Sequence, residues 1–361
     1  MTEGLERPVR RRPRHRVRFT HRFYIAVGAL VLLIFLIILI AALSSGGGNI
    51  NEVISTVGGL NEGDLNRLKI NELGAVMVLE YHKIGEEGRW SRTPENFRAD
   101  LEFLYNEGYR CVSLKGLATN NIDVELGYTP VALTFDDSDP TQFSYVEQDG
   151  QQDIDPRCAM GVMGQFDADY PDFNITATFY VEPRLFGQDE FIEKKLRYLV
   201  ENGYDIGNHC VNHPQLSQLD DNGVLEEITA NIEAVQAYLP GYEESSIALP
   251  YGEAPANTAL LAGGSMNGTS YSFVASLLVG ANPAPAPCDY SFDPLHLPRV
   301  QALDPSLDTG DSGIYAWIQY FMENPERRYC SDGNPDVVTV PKHMIDRIDQ
   351  GKLGEKAMQT Y

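Results

Sequence analysis

Two adjacent aspartates, Asp136 and Asp137, and two histidines four positions apart, His209 and His213, have the types and spacing to do chemistry in this 361-residue sequence. Thr134-Phe135-Asp136-Asp137 sets two carboxylates directly after an apolar, strand-like run. Where a strand ends, the alternation of its side chains breaks down, so one carboxylate can hold an ion while its neighbour faces a water. Taken alone, the tetrapeptide reads equally as a turn with two solvated aspartates. The run Gly207 to Pro214 then supplies His209 and His213, two of only five histidines beyond the first 22 residues. They can reach one ion if the segment turns helically, and imidazoles with one carboxylate suit zinc and related divalent ions. Three protein ligands, Asp137, His209 and His213, leave a position open for water, as a catalytic site does and a closed structural site does not. The chemistry expected is hydrolysis, with Asp136 as general base.

These groups need strands to carry them. From Ala75 onward short apolar runs alternate with longer amphipathic segments, the pattern of strands and helices taking turns around a parallel sheet. Strands are expected at Ala75–Tyr81, Val112–Leu114, Val131–Phe135, Thr176–Val181, Tyr204–Gly207, Ser246–Pro250, Phe273–Val279 and Leu297–Ala302. Helices are expected from Thr93-Pro94 toward Gly108, with Thr at the cap and Pro at the first helical position, and at Phe191–Glu201 and Gly223–Tyr238. The fold class is α/β, and a count of about seven or eight strands suits a barrel, in which catalytic groups gather at the C-terminal ends of the strands. The pattern leaves an open doubly wound sheet as the other arrangement.

Charge divides the chain sharply. The first 22 residues carry eight Arg against two Glu, a balance of +6 within a chain of −23, which leaves −29 for the rest. Phe23 to Leu43 is an uninterrupted apolar run of 21 residues, close to the ~20 that a helix needs to cross a bilayer. It is longer than the ~7–15 apolar residues of a cleavable signal. The expected organisation is a basic cytoplasmic tail (1–22), one transmembrane helix (23–43) contacting membrane lipid, a Gly/Ser-containing stalk (44–73) and one large domain (74–361). The Arg cluster before the span places the N-terminus inside and the domain outside the cytoplasmic membrane. It reads as a topology and lipid signal rather than a nucleic-acid patch. Five scattered cysteines are too few for a disulfide framework, although one pair such as Cys288 with Cys330 is compatible with the count.

Thr134-Phe135-Asp136-Asp137 followed by His209-x-x-x-His213-Pro214 resembles the polysaccharide deacetylases of carbohydrate esterase family four, the NodB-homology domain, over roughly Val76 to Ala302. Leu79-Glu80-Tyr81-His82 is similar to the Tyr-His segment that opens many exported members, among them poly-N-acetylglucosamine deacetylases. Leu249-Pro250-Tyr251-Gly252 resembles the third family motif, in which the residue after Pro offers its backbone N–H to the oxyanion. The resemblance implies a distorted (β/α) barrel, zinc or another divalent ion on Asp137, His209 and His213, Tyr251 beside Pro250 as oxyanion donor, and hydrolysis of N- or O-acetyl groups on glycans. Two positions depart from the family: Ala248 stands where the third motif carries an Arg that orients the base, and Cys210 replaces a Ser or Thr. Arg299, in Leu297-Pro298-Arg299, is a candidate substitute for that Arg. The family's late Leu-x-x-His acid has no counterpart, which leaves His82 and, less favoured, His296 as candidate acids. Tyr315 to Trp317 could stack on a sugar, although such aromatics more often belong to the core.

The reading expected from these residues is metal-dependent N-deacetylation of an extracytoplasmic glycan of poly-N-acetylglucosamine or peptidoglycan type. An O-acetyl glycan esterase uses the same motifs. A tethered glycan-binding protein without catalysis is the alternative from another class, motivated by Ala248 and the missing late His.

Overall fold

The computed structural model describes residues 60–361, Asp149 excepted. The basic tail, the expected transmembrane helix and residues 44–59 of the stalk lie outside the described residues. Among the described residues no helix is long and apolar enough to cross a membrane.

Eight strands form one curled parallel sheet: β1 (Met77–Tyr81), β2 (Tyr109–Cys111), β3 (Thr129–Phe135), β4 (Thr178–Val181), β5 (Asp205–Asn208), β6 (Ser246–Ala248), β7 (Ala275–Leu277) and β8 (Val300–Gln301). Their order is β7-β6-β5-β4-β3-β1-β8, and β2 pairs with the first residues of β3. The two edges meet, because Leu277 bridges to Leu297 just ahead of β8. Every residue of β1, β3 and β4 is buried, as expected of parallel strands covered on both faces. The one acid in those three strands is Glu80, and a carboxylate in such a place requires a partner.

Seven α-helices accompany the sheet among the described residues: α1 (Glu62–Leu68), α2 (Pro94–Asn106), α3 (Leu114–Ala118), α4 (Ala159–Asp169), α5 (Ile192–Glu201), α6 (Asp221–Gln236) and α7 (Ile314–Glu323). Thr93 caps α2 as the sequence suggested, its hydroxyl accepting from the Asn96 N–H at 3.0 Å. Val112–Leu114 is not a strand. The strand comes earlier, at Tyr109–Cys111, and Ser113 instead caps α3 by accepting from the Gly116 N–H.

The expected domain boundary at residue 74 also moves. α1 opens with a reciprocal Asn61–Asp64 capping box, Leu65 and Ile70 pack on Cys330, and Asn71 pairs with Cys330. Residues 60–73 are therefore part of the folded unit, held by the C-terminal segment, and only the part of the stalk before them is outside it. All five cysteines are buried and free, Cys288 and Cys330 included.

Two buried carboxyls make stability depend on pH. Burial pushes Glu244 up to about 8 against a hydrogen bond from Asn208, and burial, reinforced by Asp332, pushes Glu72 up to about 8. Both folded values lie above the ordinary glutamate value, so the stability they contribute is complete below about pH 4.3 and is lost as pH rises through about 8. The melting temperature is expected to fall between about pH 6 and about pH 9, and Glu244→Gln to flatten that slope. A melting temperature that rises across this window would contradict these assignments.

Candidate active site

The C-terminal ends of β1, β3, β5 and β6 converge on a cavity of about 450 Å³ lined by His82, Asp136, Asp137, His209, His213 and Tyr251, with Lys83, Trp90, Leu249 and Val279 completing the wall. A larger cleft of about 530 Å³, between Leu73, Trp317 and Arg347, is lined by none of the expected catalytic, oxyanion or metal-binding residues.

β3 ends at Phe135, and the chain then breaks direction with Asp137 and Ser138 at φ 76° and 43°. Asp136 consequently turns inward and is 1% exposed, while Asp137 stays half-buried in the cavity. Buried Gln142 bolts two strand ends together, its amide N–H₂ donating to the carbonyls of His82 (2.9 Å) and Asp136 (2.5 Å).

The histidines meet without a helix. Left-handed backbone at Cys210 (φ 63°) and His213 (φ 49°) curls the segment, a conformation that non-glycine residues hold only when the surroundings fix it. Three side chains do the fixing. Asn208 accepts from the Cys210 N–H. Glu227 of α6 accepts from the N–H groups of Val211 and Asn212, and Asn231 of α6 donates to the carbonyls of Val181 and Cys210. Cys210 itself points into an apolar cluster with Leu216, Ile228 and Ile247, where a small hydrophobe suits the space.

His209 lies 2.8 Å through Nδ1 from the Ala248 carbonyl. A carbonyl only accepts, so Nδ1 carries the proton and Nε2 presents its lone pair to the cavity, the orientation that metal-binding imidazoles adopt. Nε2 of His209 and of His213 stand 3.4 Å and 3.8 Å from Asp137 Oδ1, and the ligand atoms of the three residues lie within 4.8 Å of one another. The donor set and the fixed tautomer fit a zinc-type ion. Burial lowers His213, with His209 adding to the effect. Burial also acts to lower His209, but its bond to Asp137 and the two aspartate charges outweigh it and leave the ring raised.

Arg299 is entirely buried. Its Nη1 and Nη2 donate to both oxygens of Asp136 at 2.8 and 2.7 Å, Nη2 also reaches Glu80 Oε1 at 2.9 Å, and Nε donates to the Leu278 carbonyl at 2.8 Å. Such a two-pronged clamp fixes the plane of the Asp136 carboxylate. Burial pushes Asp136 up, but the charge and hydrogen bonds of Arg299 hold it below the usual carboxylate range. Burial raises Glu80, and Arg299 opposes the shift. Glu80, His82 and Asp136 also present clustered donor atoms, yet the guanidinium bonded to both carboxylates already supplies their positive charge, which makes them an ion-pair cluster. Gly280 is essential to the packing, since a Cβ there would lie 1.6 Å from the Arg299 carbonyl oxygen.

Ala248, where the third family motif carries Arg, gives the site a carbonyl for His209 and no guanidinium. The turn Pro250–Gly252 places Tyr251 at φ 58° and 59% exposed. The N–H groups of Gly252 and Glu253 go to Leu249 and Pro250, whereas that of Tyr251 meets no acceptor among the described residues and is free for an oxyanion. His82 lines the cavity, and His296 does not. His296 bonds Asp293 in a separate turn. Tyr315 and Trp317 also lie outside the cavity: the Tyr315 hydroxyl donates to Asp100 and the Trp317 N–H to the Ala281 carbonyl. Glu80, Gln142, Glu227, Asn231 and Gly280 are site-shaping residues that sequence reasoning missed. Of these only Glu80 left a signal, as an acid in an apolar strand.

Residues 171–265 match the family model described as polysaccharide deacetylase. Over these residues the chain matches the polysaccharide deacetylase family. The matched stretch holds His209, His213 and the Pro250–Gly252 turn, while Asp136, Asp137 and Arg299 lie outside it and are brought to it by the sheet. No curated protein sequence matches this chain. Among solved structures it is similar to the Streptococcus pyogenes deacetylase PplD in complex with acetate, at 20% identity and a TM-score of 0.46, over 63% of this chain and 92% of that one. It is also similar to IcaB from Ammonifex degensii, at 19% identity and a TM-score of 0.46, over 68% of this chain and 97% of that one.

Proposed function

We propose that this polysaccharide deacetylase removes acetyl groups from an N-acetylated glycan outside the cytoplasmic membrane, with Asp136 as general base. The observation that carries the reading is the pairing of an ion-ready triad, Asp137, His209 and His213, with a neighbouring carboxylate clamped on both oxygens by Arg299. A divalent ion on the triad, zinc being the best match to its donors, would polarise the acetyl carbonyl and make water a nucleophile near neutral pH. Asp136, held ionised and fixed in plane by Arg299, takes the proton from that water. The Tyr251 N–H donates to the oxygen on which negative charge develops. His82, on the cavity wall, returns a proton to the departing amine, leaving a free amino sugar and acetate. The Phe23–Leu43 segment would tether the domain to the outer face of the membrane, a reading supported by its length and by the Arg cluster before it.

The same residues serve an O-acetyl esterase, so the acetyl linkage is decided by substrate. Acetate release is expected from N-acetylglucosamine oligomers and to be at least about tenfold slower from O-acetylated xylan, a difference of about 1.4 kcal/mol in barrier. Activity confined to the xylan would replace the N-deacetylase reading with the esterase.

A further inference from the structure

Trp90, on the wall of the site cavity, is 41% exposed and yet held on a rigid mount. Its carbonyl accepts from the Lys83 N–H, and the Gly85 N–H donates to the Arg92 carbonyl. Gln301 donates to the Arg89 carbonyl. Arg92 itself is buried and bound to Asp100 by two hydrogen bonds and to Glu87 by a third. A braced loop that shows an indole to solvent leaves apolar surface uncovered, and such surface on the wall of a cavity that also holds convergent charged groups is a common mark of a ligand contact.

The placement of Trp90 fits that role. Its ring centre lies 4.8 Å from that of His82, on the β1 side of the cavity. On the β6 side Tyr251, also exposed, lies 4.7 Å from His213 by the same measure. Two exposed aromatic rings therefore line the cavity, one beside His82 and one beside His213. A pyranose ring has a face of C–H bonds that packs on an aromatic ring, while its hydroxyls remain free for water and polar side chains.

Resting on the deacetylase reading, we propose that Trp90 is a stacking platform for a pyranose ring of the glycan chain, and that Trp90 and Tyr251 together make this site specific for a polymer rather than a single acetylated sugar. Trp90 would then act mainly in holding substrate, and its contact with His82 would be a consequence of lining the same wall.

The chain contains two tryptophans, and Trp317 lies outside the cavity, so Trp317→Phe in the full-length, zinc-loaded protein leaves Trp90 as the sole indole reporter. Titration with the tetramer of N-acetylglucosamine is expected to shift or quench its emission with saturation, and the monomer to do so at least about tenfold more weakly. In the wild-type background Trp90→Ala is expected to raise KM for the tetramer roughly tenfold while kcat changes less than about threefold, with Trp90→Phe recovering most of the loss. An emission unchanged at tetramer concentrations that saturate acetate release would overturn the platform. So would a Trp90→Ala variant that loses kcat at unchanged KM, which would make Trp90 a positioning residue for His82. A saturable emission change in protein that releases no acetate would uphold the platform and count against the catalytic reading alone.

Discussion

Arg299→Ala is expected to reduce acetate release by more than about a hundredfold and to destabilise the domain by about 3–5 kcal/mol, the cost of removing one partner from a buried ion pair. The size of the effect follows from the count of charges. Arg299 is the guanidinium bonded to both Asp136 and Glu80, so its loss leaves two buried carboxylates facing each other. Asp136, now held below the usual carboxylate range, would then rise and be less fully ionised near neutrality. In the wild type its depressed value means that its contribution to stability is present above the ordinary carboxylate range and is lost only as pH falls below it. The double variant Glu80→Gln with Arg299→Met separates fold from function, because it removes the second carboxylate and refills the space. Denaturant unfolding should show part of the lost stability recovered, with acetate release still absent. A double variant with restored turnover would show that the clamp is structural only.

The second large effect concerns the division of labour between adjacent aspartates. Asp136→Asn is expected to slow acetate release by about 10²–10⁴-fold, the usual contribution of a general base, while zinc affinity measured by calorimetry stays within a few-fold of wild type. Asp137→Asn should instead weaken zinc binding itself, since Asp137 is the carboxylate facing His209 and His213. Equal losses of zinc affinity in the two variants would show that the roles have been divided wrongly.

Much of this site was legible in the sequence because its strongest signals are local. Asp136-Asp137 after an apolar run, two histidines beside a strand and the Pro250-Tyr251 turn each sit on a short stretch, and the structure brings all of them to one cavity. The strands, too, fell close to expectation, since fully buried parallel strands write themselves as apolar runs. What the sequence hid is long-range or conformational. Glu80 and Arg299 are far apart along the chain, and their bond is visible only once β1 and β8 are neighbours. By spacing the histidines could meet on a helical turn, but left-handed residues at Cys210 and His213 achieve the convergence instead, and no propensity rule predicts them. The boundary at residue 74 was misplaced because the Ser44–Gly48 run suggested a tether reaching to the first long apolar strand. The packing of Leu65 and Ile70 against Cys330, more than 250 residues later, could not be read from composition.

The most direct test of the account is acetate release from N-acetylglucosamine oligomers by the purified protein, measured metal-loaded, after chelation, and after zinc is restored. Release is expected from the loaded protein, to be lost on chelation and to return with zinc. Release undiminished by the chelator, or none from fully loaded protein that still binds the oligomers, would contradict that expectation, the second result turning the domain into a glycan-binding module.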